Sequence, residues 1–315
     1  NTENPTAEEL VARARALIPS LRSRTAKCEE ERRIPQENLD EMFEAGVFNT
    51  LKPKRYGGYE MGWDTFCDIT LKIAEGCGST GWIYGVCGGH PLMVTNFAFD
   101  VQDEVWGANP NALVSSAKMI SGAFKKVDGG YLGNGIMAVS SGSQHADWFF
   151  AGGSTLEGSD KPLSTIIPLD DVTILGTWKV MGLLGTGSHD LEMKEVFVPD
   201  HHAFIGGERP PGAGLYEGGV YKVGHRALDP YTLASVVVGM AAGALNIFVE
   251  NIKERTSRHG AKIADFQSLQ LRVAESAAEL DTAKLLIRTN TREAMTYIGK
   301  GEHVPDDPRM SLTMA

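Results

Sequence analysis

Residues 128–135 read Asp-Gly-Gly-Tyr-Leu-Gly-Asn-Gly. Asp-Gly and Asn-Gly are turn dipeptides, because glycine adopts positive φ freely and Asn and Asp tolerate it. More turn signals follow at Gly152-Gly153 and Asp170-Asp171, with short β-favouring runs between them at Leu163–Pro168 and Val196–Val198. The pattern predicts an antiparallel sheet domain over residues 111–225, a small barrel or sandwich. The Gly- and Pro-rich stretch 206–219 predicts an exposed linker.

On the N-terminal side, residues 1–110 read as helical. Thr6 and Glu9 form a T-x-x-E capping box ahead of a periodic stretch from Leu10 to Leu21. Pro35 suits the first residue of a second helix, with Gly46 as its stop. Asp64 is positioned to cap a third helix that ends near Gly76. Ser79 is positioned to cap a fourth that runs towards Phe99. On the C-terminal side, residues 226–315, the helical period returns, with one helix over 230–255 and another over 264–297. Two long helices cannot bury both of their faces, so they need further chain or other subunits. The sequence stops at Ala315 without an obvious end, and a further C-terminal segment is expected.

Residues 230–249 carry no charge and are long enough to span a bilayer. Scattered Thr232, Ser235 and Asn246, with Gly239 and Gly243, favour a central helix buried on all sides of a bundle. The chain has 315 residues and a net charge of −10, which disfavours nucleic acid and anionic membranes as partners. The N-terminus is too polar for a signal peptide, and a cytoplasmic location is expected. The cysteines are Cys28, Cys67, Cys77 and Cys87, without a CxxC pair. Reduced, buried thiols are expected, and no metal site: Cys87 and His90 have C-x-x-H spacing but no second ligand pair accompanies them. P-loop, G-x-G-x-x-G, H-E-x-x-H and G-x-S-x-G motifs are absent from the sequence, which disfavours a Rossmann nucleotide site or a metalloprotease.

Several short motifs, in order along the chain, carry a resemblance. Pro53-Lys54-Arg55-Tyr56-Gly57-Gly58 is similar to a P-x-x-Y-G-G turn, and Gly130–Gly135 to a Gly- and Asn-containing hairpin in which Gly133 stands for the usual Leu. Ser141-Gly142 with Ala146-Asp147-Trp148 resembles a flavin-contacting strand. Met181-Gly182 through Val198-Pro199 resembles closing strands of a middle domain, and Gly260–Gln267 a G-K-P-I-x-x-x-Q segment. Together these identify the chain as similar to the acyl-CoA dehydrogenase superfamily. The implied fold class is α+β, with an N-terminal helical domain, a middle antiparallel β domain and a C-terminal helical bundle. Ser79-Thr80-Gly81-Trp82, Ser140-Ser141-Gly142 and Gly185-Thr186-Gly187-Ser188-His189-Asp190 resemble the branch of two-component flavin monooxygenases. That branch includes para-hydroxyphenylacetate hydroxylase, seco-steroid phenol hydroxylase and dibenzothiophene monooxygenase.

The resemblance implies a reduced flavin, FMN or FAD, from a separate NAD(P)H–flavin reductase. It implies O2 as co-substrate, a flavin C4a-hydroperoxide, a small phenolic or polycyclic aromatic substrate and a homotetramer. Ser141 corresponds to a hydroxyl beside flavin N5; read alone it is a turn serine. His90 follows Trp82 by eight residues, so one helix would project both from one face, although Gly88-Gly89 and Pro91 can break that helix. In the family a Trp and a His at this spacing border flavin and substrate, and such a His can take a phenol proton. The alternative is a core histidine with Trp82 as packing. Ser116, on the first strand, corresponds to a serine near flavin and substrate; its alternative is a solvent-facing strand serine. Arg226 corresponds to an arginine near flavin N1 and C2=O, where a cation stabilises the anionic reduced ring; its alternative is a solvated loop arginine. Arg255, Arg258 and His259 fall near a phosphate-binding arginine without matching its spacing, and His145 reads as a structural strand residue.

True acyl-CoA dehydrogenases need a glutamate base, and one of its two family positions reads Asp229-Pro230-Tyr231-Thr232 here. The other position, and the second histidine of the monooxygenase site, fall beyond Ala315. The first expectation is therefore the oxygenase component of a flavin-dependent monooxygenase. An acyl-CoA dehydrogenase is the alternative, and a non-catalytic binding or assembly protein the third.

Overall fold

The computed structural model describes residues 4–222 and 225–302, with the side chains of 225–228 excepted. Eight helices come first: α1 (Ala7–Ala16), α2 (Ile18–Ser23), α3 (Thr25–Glu31), α4 (Gln36–Glu44), α5 (Trp63–Gly76), α6 (Gly78–Cys87), α7 (Pro91–Val94) and α8 (Phe99–Trp106). Seven strands follow: β1 (Val114–Val127), β2 (Gly130–Ser140), β3 (Trp148–Ser154), β4 (Leu163–Pro168), β5 (Thr173–Ile174), β6 (His189–Pro199) and β7 (Ala203–Ile205). Two long helices, α9 (His225–Glu254) and α10 (Gln267–Gly299), complete the described chain.

The capping box holds α1: the Thr6 hydroxyl accepts from the Glu9 N–H at 3.2 Å, and the Glu9 carboxylate accepts from the Thr6 N–H at 2.8 Å. Pro35 sits at the cap of α4 rather than inside it, and Gly46 turns left-handed just after that helix, at φ 77°. Two expected caps move. Gly62 caps α5, and Asp64 lies in its first turn beside the helix dipole. Cys77, not Ser79, caps α6, because α5 runs on to Gly76 and leaves a single extended residue between the helices. The fourth helix does not reach Phe99. It ends at Cys87, and a short α7 begins at Pro91, whose ring nitrogen has no hydrogen to continue the ladder.

The sheet order is β5-β6-β2-β1-β3-β4-β7. Each neighbouring pair is antiparallel except β1–β3, which runs parallel over Val114–Ala117 and Trp148–Ala151. The long β1 serves two half-sheets: its start pairs with β3, and after a bulge between Met119 and Ser121 the rest pairs with β2. Phe124, Met137, Phe149, Leu163, Leu191 and Met193, drawn from both halves, bury into one core. Asp128-Gly129 is the two-residue hairpin turn, closed by the Val127–Gly130 pair. Gly133-Asn134-Gly135 is no turn. It lies inside β2, where Asn134 Oδ1 accepts from the Glu195 N–H at 2.8 Å. Gly135, at φ 145°, runs so close to β1 that a Cβ there would sit 2.1 Å from the Ser121 carbonyl oxygen.

Helix α9 packs on α5 at close range. A Cβ on Gly239 would lie 2.5 Å from the Leu71 carbonyl oxygen. Its apolar stretch is long enough to cross a membrane, and within this chain it is not buried on all sides. Val236 is fully buried, whereas Val237 is 56% exposed and Phe248 43%. α5, α6 and α10 pack against α9, and side chains such as Val237 and Phe248 are left exposed by the described chain. The four cysteines are buried and unbridged.

Candidate active site

The turn after β2 and the segment from α6 to α7 place the candidate residues in two groups, Trp82 with Ser141 and His90 with Ser116. Ser141 and Ser188 are both buried. The Trp82 indole N–H donates to Ser141 Oγ at 3.0 Å. Ser141 Oγ lies 2.7 Å from Ser188 Oγ, Ser188 Oγ lies 2.8 Å from Thr186 Oγ1, and Thr186 donates to the Leu183 carbonyl at 2.9 Å. Each hydroxyl has a single proton. The carbonyl can only accept, so the proton of Thr186 is committed to it. Ser188 must then donate to Thr186, and Ser141 to Ser188. The relay runs one way, from Trp82 to Leu183. Ser141 is left with lone-pair capacity and no proton to offer.

His90 is buried at the start of α7, beyond the end of α6. Trp82 and His90 therefore do not share one helical face, since the chain turns at Gly88-Gly89 between them. Both nonetheless reach the sheet. His90 Nδ1 donates to the Val114 carbonyl, which fixes the tautomer of the neutral ring with its lone pair on Nε2. Ser116 Oγ, half-buried on β1, is 3.0 Å from that Nε2 and donates to it. His90 and Ser116 line a cavity of about 120 Å³ with Gly85, Met93, Asp229 and Thr232.

Next to Ser141, buried polar atoms cluster without a partner: Ser140 Oγ, Ser143 Oγ, Gln144 Oε1 and His145 Nε2. A buried polar atom left unbonded costs about 1–3 kcal/mol, so the turn is built to face a polar ligand. A heteroatom-rich flavin fits this donor and acceptor set. His145 is not a strand residue; it lies in the 3-10 turn Ser143–His145. Burial and the Arg33 guanidinium, 3.3 Å from its Nδ1, push its pKa down to about 4. The side chain of Arg226 lies outside the described residues. Arg255, Arg258 and His259 are exposed beyond α9.

Residues 4–106 match the family described as acyl-CoA dehydrogenase, N-terminal domain, and residues 231–315 match its C-terminal domain. The oxygenase subunit HsaA of a flavin-dependent monooxygenase from Rhodococcus jostii is 34% identical over 94% of this chain and 79% of that protein. The chain belongs to the acyl-CoA dehydrogenase family, in its branch of flavin-dependent monooxygenase oxygenase subunits. A second member of this branch, the FADH(2)-dependent resorcinol hydroxylase oxygenase component from Rhizobium, is 30% identical over 96% of this chain and 78% of its own length. The crystal structure of the HsaA monooxygenase from M. tuberculosis superposes with a TM-score of 0.88 at 33% identity, covering 97% of this chain and 80% of that one.

Two hydroxyls and one carboxylate that the motifs do not single out lie beside the candidate residues. Ser188 and Thr186 sat in a motif noted for its resemblance, yet only the fold turns their hydroxyls into a relay behind Ser141. In the sequence Asp229 marks only the register where a dehydrogenase carries glutamate. It lines the cavity because the first turns of α9 pass over His90.

Proposed function

We propose that the chain is the oxygenase component of a two-component monooxygenase that hydroxylates a phenolic or polycyclic aromatic substrate with O2. It takes reduced flavin, FMN or FAD, from a separate NAD(P)H-dependent reductase. When bound, the reduced flavin activates O2 and supplies one oxygen atom to the substrate. Trp82, Ser116, Ser141 and Arg226 hold the flavin.

The observation that carries this reading is the direction of the Ser141 relay. A reduced flavin presents an N–H at N5, and Ser141 has a lone pair to accept it. An oxidised flavin presents N5 as an acceptor, and the proton of Ser141 is already committed to Ser188. The site therefore prefers the reduced ring. His90 does the proton work: its Nε2 lone pair takes the phenol proton, either directly or through the Ser116 hydroxyl, which makes the ring carbon more electron-rich at the moment of oxygen transfer. His90 and Ser141 are the catalytic pair in this reading.

The three sequence blocks, 1–110, 111–225 and 226–315, act as domains, and four copies assemble in the cytoplasm through α9 and α10. Exposed Val237, Ile247, Phe248, Leu285 and Leu286 support that assembly. A dehydrogenase reading has one supporting observation, the Asp229 carboxylate on the cavity wall. Anaerobic titration separates the two. The oxygenase purifies colourless, binds reduced flavin far more tightly than oxidised flavin, and with reductase, NAD(P)H and a phenol yields the hydroxylated product. A protein that purifies yellow and desaturates an acyl-CoA would overturn the proposal.

A further inference from the structure

Glu104 on α8 faces the adjacent pair His201-His202 in the 3-10 turn that follows β6. His202 Nε2 lies 2.7 Å from Glu104 Oε2, and His201 Nε2 lies 3.2 Å from Glu104 Oε1. One ligand atom from each of the three residues falls within 4.8 Å of the others. The two imidazole rings have centroids 4.4 Å apart, and the buried His202 is further held edge-on by Trp148 at 5.8 Å. The neighbouring carboxylates are spoken for: Asp103 pairs with Arg55 and Asp200 with Lys126. Both imidazoles thus converge on one carboxylate from a separate part of the fold.

We propose that Glu104, His201 and His202 form a binding site for a divalent transition-metal ion, with Zn²⁺ the best match, that ties α8 to the end of β6. Two imidazole nitrogens and one carboxylate suit Zn²⁺, Ni²⁺ or Cu²⁺ and disfavour Mg²⁺ and Ca²⁺, which prefer all-oxygen shells. A tetrahedral Zn²⁺ with ligand bonds of about 2.0–2.1 Å spaces its ligands about 3.3 Å apart, so atoms that now lie within 4.8 Å of one another close by at most about 1.5 Å. Without metal, each Nε2–H donates to Glu104. On binding, each ring shifts its proton to Nδ1 and remains neutral, which frees both Nε2 lone pairs for the metal. Water completes the shell from the open side, where the Glu104 and His201 side chains are 44% and 46% exposed. The flavin-site residues take no part.

The test uses the purified full chain, stripped with a chelator and titrated calorimetrically with ZnCl2 and, separately, with MgCl2. The variants are His201→Ala and Glu104→Gln, both at exposed positions, each checked for its fold by circular dichroism. The wild type binds one tight equivalent of Zn²⁺, melts at a higher temperature with it, and ignores Mg²⁺. Removing even an outer-shell partner of a metal site weakens affinity 10–100-fold, so loss of a ligand weakens Zn²⁺ binding at least about tenfold and abolishes the rise in Tm. Co²⁺ gives a second readout: visible ligand-field bands that appear in the wild type and vanish in both variants. Equal Zn²⁺ uptake by wild type and variants, or none by the wild type, overturns the site.

Discussion

The one-way relay makes a sharp demand on Ser188→Ala. In the wild type, Ser141 offers a proton to oxidised N5 only by abandoning Ser188, whose oxygen is buried and 2.7 Å away. A neutral hydrogen bond contributes about 0.5–1.5 kcal/mol net, so the oxidised ring is penalised by about 1 kcal/mol, or roughly fivefold in affinity. Ser188→Ala removes the acceptor and frees the Ser141 proton to point at N5. Affinity for oxidised flavin rises about fivefold, while affinity for reduced flavin changes little because Ser141 still accepts. The preference for the reduced form thus shrinks by about the same factor. Anaerobic titration of each redox form, followed by flavin fluorescence or absorbance, measures the ratio directly. The fold is tested by a parallel thermal melt. An unchanged ratio in a folded variant refutes the relay as the source of redox preference.

On the proposed reading, Ser141→Ala removes the N5 partner altogether. Peroxide released per flavin oxidised rises and product falls by up to about tenfold, as for a bond worth about 1.4 kcal/mol in a dry site; peroxide and product assays read the ratio. His90→Ala leaves flavin oxidation by O2 nearly intact and slows oxygen transfer by roughly 10²-fold or more, the usual scale of a lost general base, with a smaller loss for substrate supplied as phenolate; stopped-flow absorbance separates the steps. Phe124→Ala, at the shared core of both half-sheets, destabilises by about 3–5 kcal/mol in urea unfolding. His145 carries a pH signature. Its folded pKa of about 4 lies below the usual 6.5, so between these values the unfolded chain binds the extra proton. Its contribution to stability is complete above pH 6.5 and is lost as pH falls towards 4. Melts of His145→Gln against wild type across that window show a shallower slope in the variant.

Local chemistry determined the first helix cap, the hairpin turn and the two long C-terminal helices. The Thr6/Glu9 box, the Asp128-Gly129 turn and the apolar periods of α9 and α10 act over a few residues, where backbone sterics and capping bonds decide. Asn134-Gly135 resembles a turn dipeptide yet lies inside β2 for the complementary reason: Gly133 and Gly135 are glycines because β1 passes close by, and such contacts leave no local trace. Family motifs pointed to Trp82, His90, Ser116 and Ser141. What those side chains do to one another came only from the tertiary structure. His90 and Ser116 are 26 residues apart and meet at 3.0 Å because α7 packs across the start of β1. The tautomer of His90 depends on the Val114 carbonyl and the polarity of Ser141 on Ser188 and Thr186, each on a different element. Proton direction is a property of a closed chain of partners, and it exists only once long-range packing has brought the last acceptor into place.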